Sequence, residues 1–242
     1  MPAAPEPDVR PAPPRLGPPR LCPPRLCPPR PKDAATLLIV RHDGPKPRVL
    51  MGRRHGGHAF MPDKWVFPGG RIHPSDFRVP AASELRPDVA DTLARGCSPS
   101  RARALALSAI RETFEETGLI LGRAAPARAS RGEWRDFLAA GALPDLAALD
   151  YVARAITPPA RTRRFDARFF VADAEALMSL EPGAGSGELG ELAWFDWTAA
   201  AALDLPQITR AILEEVRLRL TDSTRPIPFH RFERGKHRLL HA

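Results

Sequence analysis

Cysteine is scarce in this chain, with three among 242 residues. Cys22 and Cys27 lie in an N-terminal repeat and Cys97 stands alone. None has zinc-ligand spacing, and an odd three gives no disulfide framework. A disulfide-stapled scaffold and a structural zinc site are therefore excluded, and a reducing, cytoplasmic compartment is the default. Also missing is any run of 18 apolar residues, which excludes a membrane-spanning helix. No unbroken apolar stretch near the N-terminus reads as a secretory signal. Serine is absent from the arginine-rich first 32 residues, unlike a transit peptide, and His237 to Ala242 is not a peroxisomal address. Basic and aromatic residues do not interleave, so nucleic acid is not expected as the main ligand.

Proline, by contrast, is abundant and uneven: 13 of 29 fall in residues 1–32, around the repeat PPRLG, PPRLC, PPRLC at Pro13 to Cys27. A period of five with paired prolines fits neither helix nor sheet interior, so this tail is expected to be extended or disordered. The tail carries +4 of the net charge of +8. The remaining mild excess suits attraction of phosphorylated small molecules. Residues 33–220 then form one expected domain, with 221–242 as a C-terminal extension.

The densest chemical signal is RETFEETGLI, Arg111 to Ile120. At about 100° per residue, Glu112, Glu115 and Glu116 share one helix face, while Ala106, Leu107, Ile110, Phe114 and Thr117 make the apolar stripe opposite. Ser98 before Pro99 reads as an N-cap and Gly118 as the residue after the helix, predicting a helix over Pro99 to Thr117. Glu112 and Glu116 at i,i+4 repel unless a cation lies between them, and a hard divalent ion with oxygen ligands would remove that repulsion.

Upstream, KWVFPGG (Lys64 to Gly70) is a short apolar strand ending in paired glycines, which allow close approach of backbone to a ligand. FPGG ahead of an R-E-x-x-E-E-x-G helix resembles the Nudix box, the signature of the Nudix hydrolase superfamily. Gly70 matches its first glycine, Arg111 and Glu112 its Arg-Glu pair, Glu115 and Glu116 its Glu pair, and Gly118 with Leu119 its close. Two positions depart from the pattern. Asp76 stands at the first glutamate, separated from Arg111 by 34 residues instead of seven, and Thr113 replaces an aliphatic residue. The added residues, about 77–98, carry prolines and mixed charge and are expected to form a surface excursion. An interruption here, with HAFMPDKWVFPGG (His58 to Gly70) and ITPPARTRRFDARFF (Ile156 to Phe170), resembles the branch that includes the mammalian peroxisomal coenzyme A diphosphatase.

Coarser patterns predict strands at Ala34–Val40, Arg48–Arg53, Tyr151–Thr157, Arg164–Ala172 and Glu191–Trp197. Helices are expected at Arg131–Ala140, Pro144–Leu149, Thr198–Leu203 and Gln207–Leu220. Mixed sheet between helices is an α/β arrangement, and the resemblance implies a Nudix-type α/β/α sandwich with a mixed central sheet.

The resemblance further implies hydrolysis of a diphosphate joining a nucleoside to another group. Mg²⁺ or Mn²⁺ would be held by Glu112, Glu115, Glu116 and the Gly70 carbonyl, with Arg111 orienting a glutamate. The general base is open between Glu116, Glu188 and Glu191, the latter two beside the glycine-rich loop at residues 183–190. Arg53, Arg54 and Arg164, with Arg163, are candidate phosphate contacts because guanidinium groups bind phosphate oxygens in pairs. Trp65, Phe67, Tyr151 and Trp194 read as core, and His55 and His58 as loop residues. Coenzyme A or an acyl-coenzyme A is the first substrate expected from the branch. A broader ADP-ribose or dinucleotide diphosphatase is the alternative within enzymes, and a non-catalytic ligand-sensing or scaffold module the alternative outside them. A homodimer is compatible with each.

Overall fold

In the computed structural model the described residues are 28–57, 62–183, 185–233 and 235–241. Most of the proline-rich tail, with Cys22, Cys27 and the repeat, and His58 fall outside them. The central strand β1, Lys32–Arg41, shows how the sequence makes two layers. Ala35, Leu37 and Ile39 face one apolar cluster, and Leu38 and Val40 the other. A strand buried on both faces needs this near-continuous apolar run.

β1 pairs in parallel with β8, Phe165–Asp173, from Lys32 opposite Phe165 to Val40 opposite Asp173. Its other edge is shared. β4, Gly69–Arg71, takes Ala34 to Thr36, and β2, Arg48–Arg54, takes Val40 and Arg41. Between these contacts the Leu37 N–H donates to the Pro68 carbonyl at 3.0 Å. β2 also pairs with β3, Trp65–Val66, and with β9, Leu189–Asp196. Beyond β8 lies β7, Asp150–Ile156, antiparallel to it. Residues 221–242 were expected to lie outside the domain. Instead β10, Pro228–Glu233, pairs in parallel with β7 and carries β11, Lys236–His241, as the sheet edge. The backbone groups left along β7 are what draw this segment in.

One face of the mixed sheet is covered by α2, Pro99–Thr117, and the other by α4, Trp197–Ala202, and α5, Gln207–Arg219. This is an α/β/α sandwich. The bounds of α2 follow from its ends, since the Ser98 hydroxyl accepts from the Arg101 N–H and Gly118 takes φ 73°.

Two further expectations are corrected. The segment 77–98 is not a surface excursion, because Val79 and, from α1 (Pro87–Ala94), Val89 and Leu93 are buried in the α2 cluster. Between α2 and β7 only α3, Arg135–Ala139, is α-helical. Positive φ at Gly132 and Gly141 brackets it. Ala142–Pro144 is instead a strand, β6, paired with β5, Gly122–Ala124, and Leu146–Ala148 is a single 3₁₀ turn. The apolar spacing that imitated long helices there comes from Trp134, Phe137, Leu138, Ala142 and Leu146 turning into one cluster. Among the described residues no helix is long and apolar enough to cross a membrane.

Candidate active site

The last two turns of α2 carry Arg111, Glu112, Glu115 and Glu116 to β4, where the FPGG segment crosses the helix. Arg111 is buried and its donors are all engaged. Nε and Nη2 donate to the two oxygens of Asp76 at 2.9 and 3.0 Å. Nη1 donates to Glu112 Oε1 at 2.9 Å and Glu115 Oε2 at 3.1 Å. Nη2 also reaches the Arg71 carbonyl at 2.9 Å. One guanidinium thus fixes three carboxylates and a strand, a task its planar fork allows and an ammonium would not.

Asp76 therefore does occupy a working position despite its distance in sequence. It is fully buried in the 3₁₀ turn Pro74–Phe77. Oδ1 also accepts from Trp134 Nε1 at 2.9 Å, and Oδ2 from the His73 N–H at 2.8 Å. Sequence reasoning missed Trp134. Its one signal is a tryptophan set among charged residues in GEWRD.

Glu116 faces the opposite end of the cluster. Its Oε2 accepts from the Gly69 N–H at 2.9 Å, and it is only 3 % exposed. The acid face is thus a cleft and not a solvated surface. Burial pushes the Glu116 carboxyl up to about 8, against the Gly69 hydrogen bond and with help from the charge of Glu112. Burial likewise pushes Glu112 up to about 7, partly opposed by Arg111 and supported by the Glu115 charge. Glu115 is raised for the same reason, with Glu133 adding to it after the opposing Arg111. The Arg111 guanidinium, for its part, is raised, because Asp76, Glu112 and Glu115 outweigh the effect of its burial.

A side chain at position 70 would displace the Glu112 carboxyl. A β-carbon there would lie 2.3 Å from the Glu112 carboxyl carbon. β4 and the acid face are pressed together with only a hydrogen between them.

The glycine-rich loop before β9 packs on the same end of α2. The Ser186 N–H donates to the Glu115 carbonyl at 2.6 Å, and Gly185 sits against the Glu116 carbonyl. Glu188 is exposed, and its charge contributes to the raised Glu116 value. Its carbonyl accepts from the His55 N–H at 3.3 Å. A cavity of about 300 Å³ opens beside it, lined by Arg53, Arg54, His55, Gly56, Asp63, Gly190 and Glu191. Arg53 faces Glu191 across the β2–β9 ladder. The charge of Arg54 is felt at Glu116.

Arg164 is not brought to this site. Its Nε donates to the Thr157 carbonyl at 3.0 Å and its Nη1 to the Pro29 carbonyl at 2.8 Å, which ties it to the strand ends at the β7–β8 turn. A guanidinium satisfied by two carbonyls there is a structural clasp. Arg163 is exposed in the same turn. Trp65, Phe67 and Tyr151 are buried in the two clusters, as expected of core residues. Trp194 is partly buried against the α2 cluster.

No protein-family model and no curated protein matches the sequence. Solved structures do. A NUDIX hydrolase from Alicyclobacillus acidocaldarius is 26% identical, over 76% of this chain and 90% of that one, with a TM-score of 0.54. The chain has the Nudix fold. The NUDIX domain of Shewanella oneidensis NrtR complexed with ADP ribose matches at 12% identity, over 83% and 94%, with a TM-score of 0.49. A MutT NUDIX hydrolase from Burkholderia pseudomallei matches at 21% identity, over 77% and 98%, with a TM-score of 0.44. Within the Nudix fold described above, the carboxylates lie where β4, α2 and the loop before β9 meet.

The donor set can be weighed against a divalent cation. Among the described residues no group of three or more His, Cys, Asp or Glu is arranged to hold a metal outright. Arg111 Nη1 draws Glu112 and Glu115 toward itself, while Glu116 turns to Gly69. Yet one buried guanidinium serves Asp76, Glu112 and Glu115, and Glu116 is desolvated beside them. An all-oxygen set with negative charge in excess fits Mg²⁺ or Mn²⁺, which relieves like-charge repulsion between carboxylates.

Proposed function

We propose that the chain is a divalent-metal-dependent hydrolase that cleaves the diphosphate linkage of a nucleoside diphosphate joined to another group. The observation that carries this reading is the carboxylate cluster at the FPGG strand, in which Arg111 ties Glu112 and Glu115 to Asp76 and the buried Glu116 accepts from the Gly69 N–H. Maintaining three raised carboxylates in a cleft costs stability, and a cation-binding role accounts for that cost.

Mg²⁺ or Mn²⁺ would be held by Glu112, Glu115, Glu116 and the Gly70 carbonyl. When bound, the ion supplies charge neutralisation to the phosphoryl oxygens and lowers the pKa of water. Arg111 keeps Glu112 and Glu115 at fixed orientation, so that little rearrangement accompanies reaction. Arg53 and Arg54, at the cavity beside the loop that carries Glu188, would bind the diphosphate oxygens. Water attacks one phosphorus, the bridging P–O bond breaks, and the water proton passes to a carboxylate. Glu116 and Glu188 are the candidates, with Glu191 at the cavity wall. The loop at residues 183–190 would exclude bulk water from that step. Within this class, coenzyme A or an acyl-coenzyme A is the proposed substrate, on the strength of the interrupted box.

Mass-spectrometric product analysis tests both levels. Purified protein with Mg²⁺ or Mn²⁺ is offered coenzyme A, acyl-coenzyme A, ADP-ribose and diadenosine polyphosphates. Phosphopantetheine and 3′,5′-ADP from the wild type, and not from Glu116→Gln, are expected. Cleavage of another member would keep the reaction and replace the substrate. An intact panel would sink the enzyme reading and favour a ligand-sensing or scaffold module.

A further inference from the structure

Asp76 is one methylene shorter than the glutamate it replaces in the box pattern, yet it meets Arg111 through two hydrogen bonds. A residue that follows α2 in the sequence helps hold it there. The indole of Trp134 is 2 % exposed, and its N–H donates to Asp76 Oδ1 at 2.9 Å. Together with Arg111 Nε and Nη2 and the His73 N–H, it completes four donors on the four lone-pair sites of the carboxylate. The ring itself is fixed by an edge-to-face contact with Phe137, centroids 5.2 Å apart. A second tie runs beside it, with Glu133 Oε1 3.5 Å from His73 Nε2. The turn before α3 therefore grips the Pro74–Phe77 turn at two adjacent residues.

We propose that Trp134 is a positioning residue for the carboxylate cluster, acting through Asp76 on Arg111. The proposal rests on the hydrolase reading above. A carboxylate with four donors has one orientation, and Arg111 Nε and Nη2 are committed to it. The direction of Nη1, and with it the places of Glu112 and Glu115, follows from that commitment. Removing the indole N–H leaves Asp76 with three donors and loosens the hold on Oδ1. The guanidinium can then drift, and a displacement of about 1 Å at a reacting centre costs on the order of a hundredfold in rate. An aspartate suffices at position 76 because the turn already sets it within reach of both Arg111 nitrogens, with the Trp134 indole closing on Oδ1.

Trp134→Phe keeps an aromatic ring against Phe137 and deletes the donor. Mn²⁺ titration followed by the electron paramagnetic resonance of free ion should show affinity weakened about tenfold. Under Mn²⁺ saturation, kcat should fall about tenfold with KM within about twofold, since no substrate contact is removed. Asp76→Glu combined with Trp134→Phe restores both reach and volume and should recover most of the Mn²⁺ affinity. Measurements are made well below each variant's melting temperature. A Trp134→Phe protein with a lowered Tm but unchanged Mn²⁺ affinity and kcat would overturn the proposal, because the indole would then only fill space. Failure of the double variant to recover beyond Trp134→Phe would overturn it equally. Wild type that neither binds Mn²⁺ nor cleaves the panel would instead bring down the hydrolase reading, and the positioning role with it.

Discussion

The carboxyl carbon of Glu112 lies 2.3 Å from where a β-carbon on Gly70 would stand. Real β-carbons do not approach a neighbour that closely, so any side chain at 70 must displace Glu112 or β4. Gly70→Ala should therefore weaken Mn²⁺ binding and lower kcat/KM by at least roughly tenfold, with only a modest change in melting temperature. Parallel calorimetric titration and kinetics check this. An alanine variant with wild-type affinity would show that Glu112 is not a ligand.

Glu116 should trade function against stability. Its carboxyl is raised to about 8 from 4.5, chiefly by burial. The folded protein consequently holds more protons than the unfolded chain between those values, and the ionised carboxylate becomes a growing penalty as pH rises through the window. In metal-free protein, Glu116→Gln should raise the melting temperature at pH 8.5 and change it little at pH 4.5. Added Mg²⁺ or Mn²⁺ should stabilise the wild type and not the variant. The same variant should lose hydrolysis by on the order of a hundredfold or more. Thermal melts at the two pH values, with and without metal, separate these effects.

Arg111→Lys keeps the charge and loses the fork. Lysine has three donors on one nitrogen and cannot span Asp76 while also reaching Glu112 and Glu115. Leaving buried carboxylates incompletely paired should cost roughly 2–4 kcal/mol, read as a lower denaturation midpoint at constant slope. If the loss is under about 0.5 kcal/mol, the guanidinium is not what holds the cluster.

A second ion network lies across β1 from β4 and gives a further pH signature. Asp166 on β8 accepts from Arg154 Nε at 2.9 Å and Nη2 at 2.7 Å, and Arg168 Nη1 lies 2.7 Å away. Burial, the largest single influence, works to raise the Asp166 carboxyl, but the Arg154 hydrogen bonds and the charges of Arg168 and Arg154 together hold it below the usual value. A depressed carboxylate stabilises above its unfolded pKa, near 4, and loses that contribution as pH falls through the folded value. Asp166→Asn should lower Tm by about 5 °C at pH 7 and by much less at pH 3. Melts across that range test it.

How much of this was legible in sequence varied with locality. The bounds of α2 were, because Ser98, Pro99 and Gly118 act within a turn of where they stand. The meeting of Glu112, Glu115 and Glu116 was, because helical period alone puts them on one face. Their burial was not, since it depends on β4 and on Gly185 and Ser186, more than 40 and 60 positions away in sequence. The role of Asp76 needed Trp134, which contacts it 58 residues later. Arg164 misled because the sequence shows a guanidinium but not the carbonyls of Thr157 and Pro29 that occupy it. The strand at Lys236–His241 has no apolar alternation to announce it, and it is held by its backbone ladder to β10 with a ring contact between His237 and His230.

The register of β1 has a consequence for synthesis on the ribosome. Nine successive residues of this first strand, Lys32 to Val40, are matched in parallel by Phe165 to Asp173. β1 thus waits for a strand made more than a hundred residues later, and loop closure on that scale precedes any gain from the pairing. A nascent chain stopped before Phe165 would already contain the whole interrupted box and β1, but not the parallel partner β8 that completes the sheet beneath its helix. The box can be translated well before it can work.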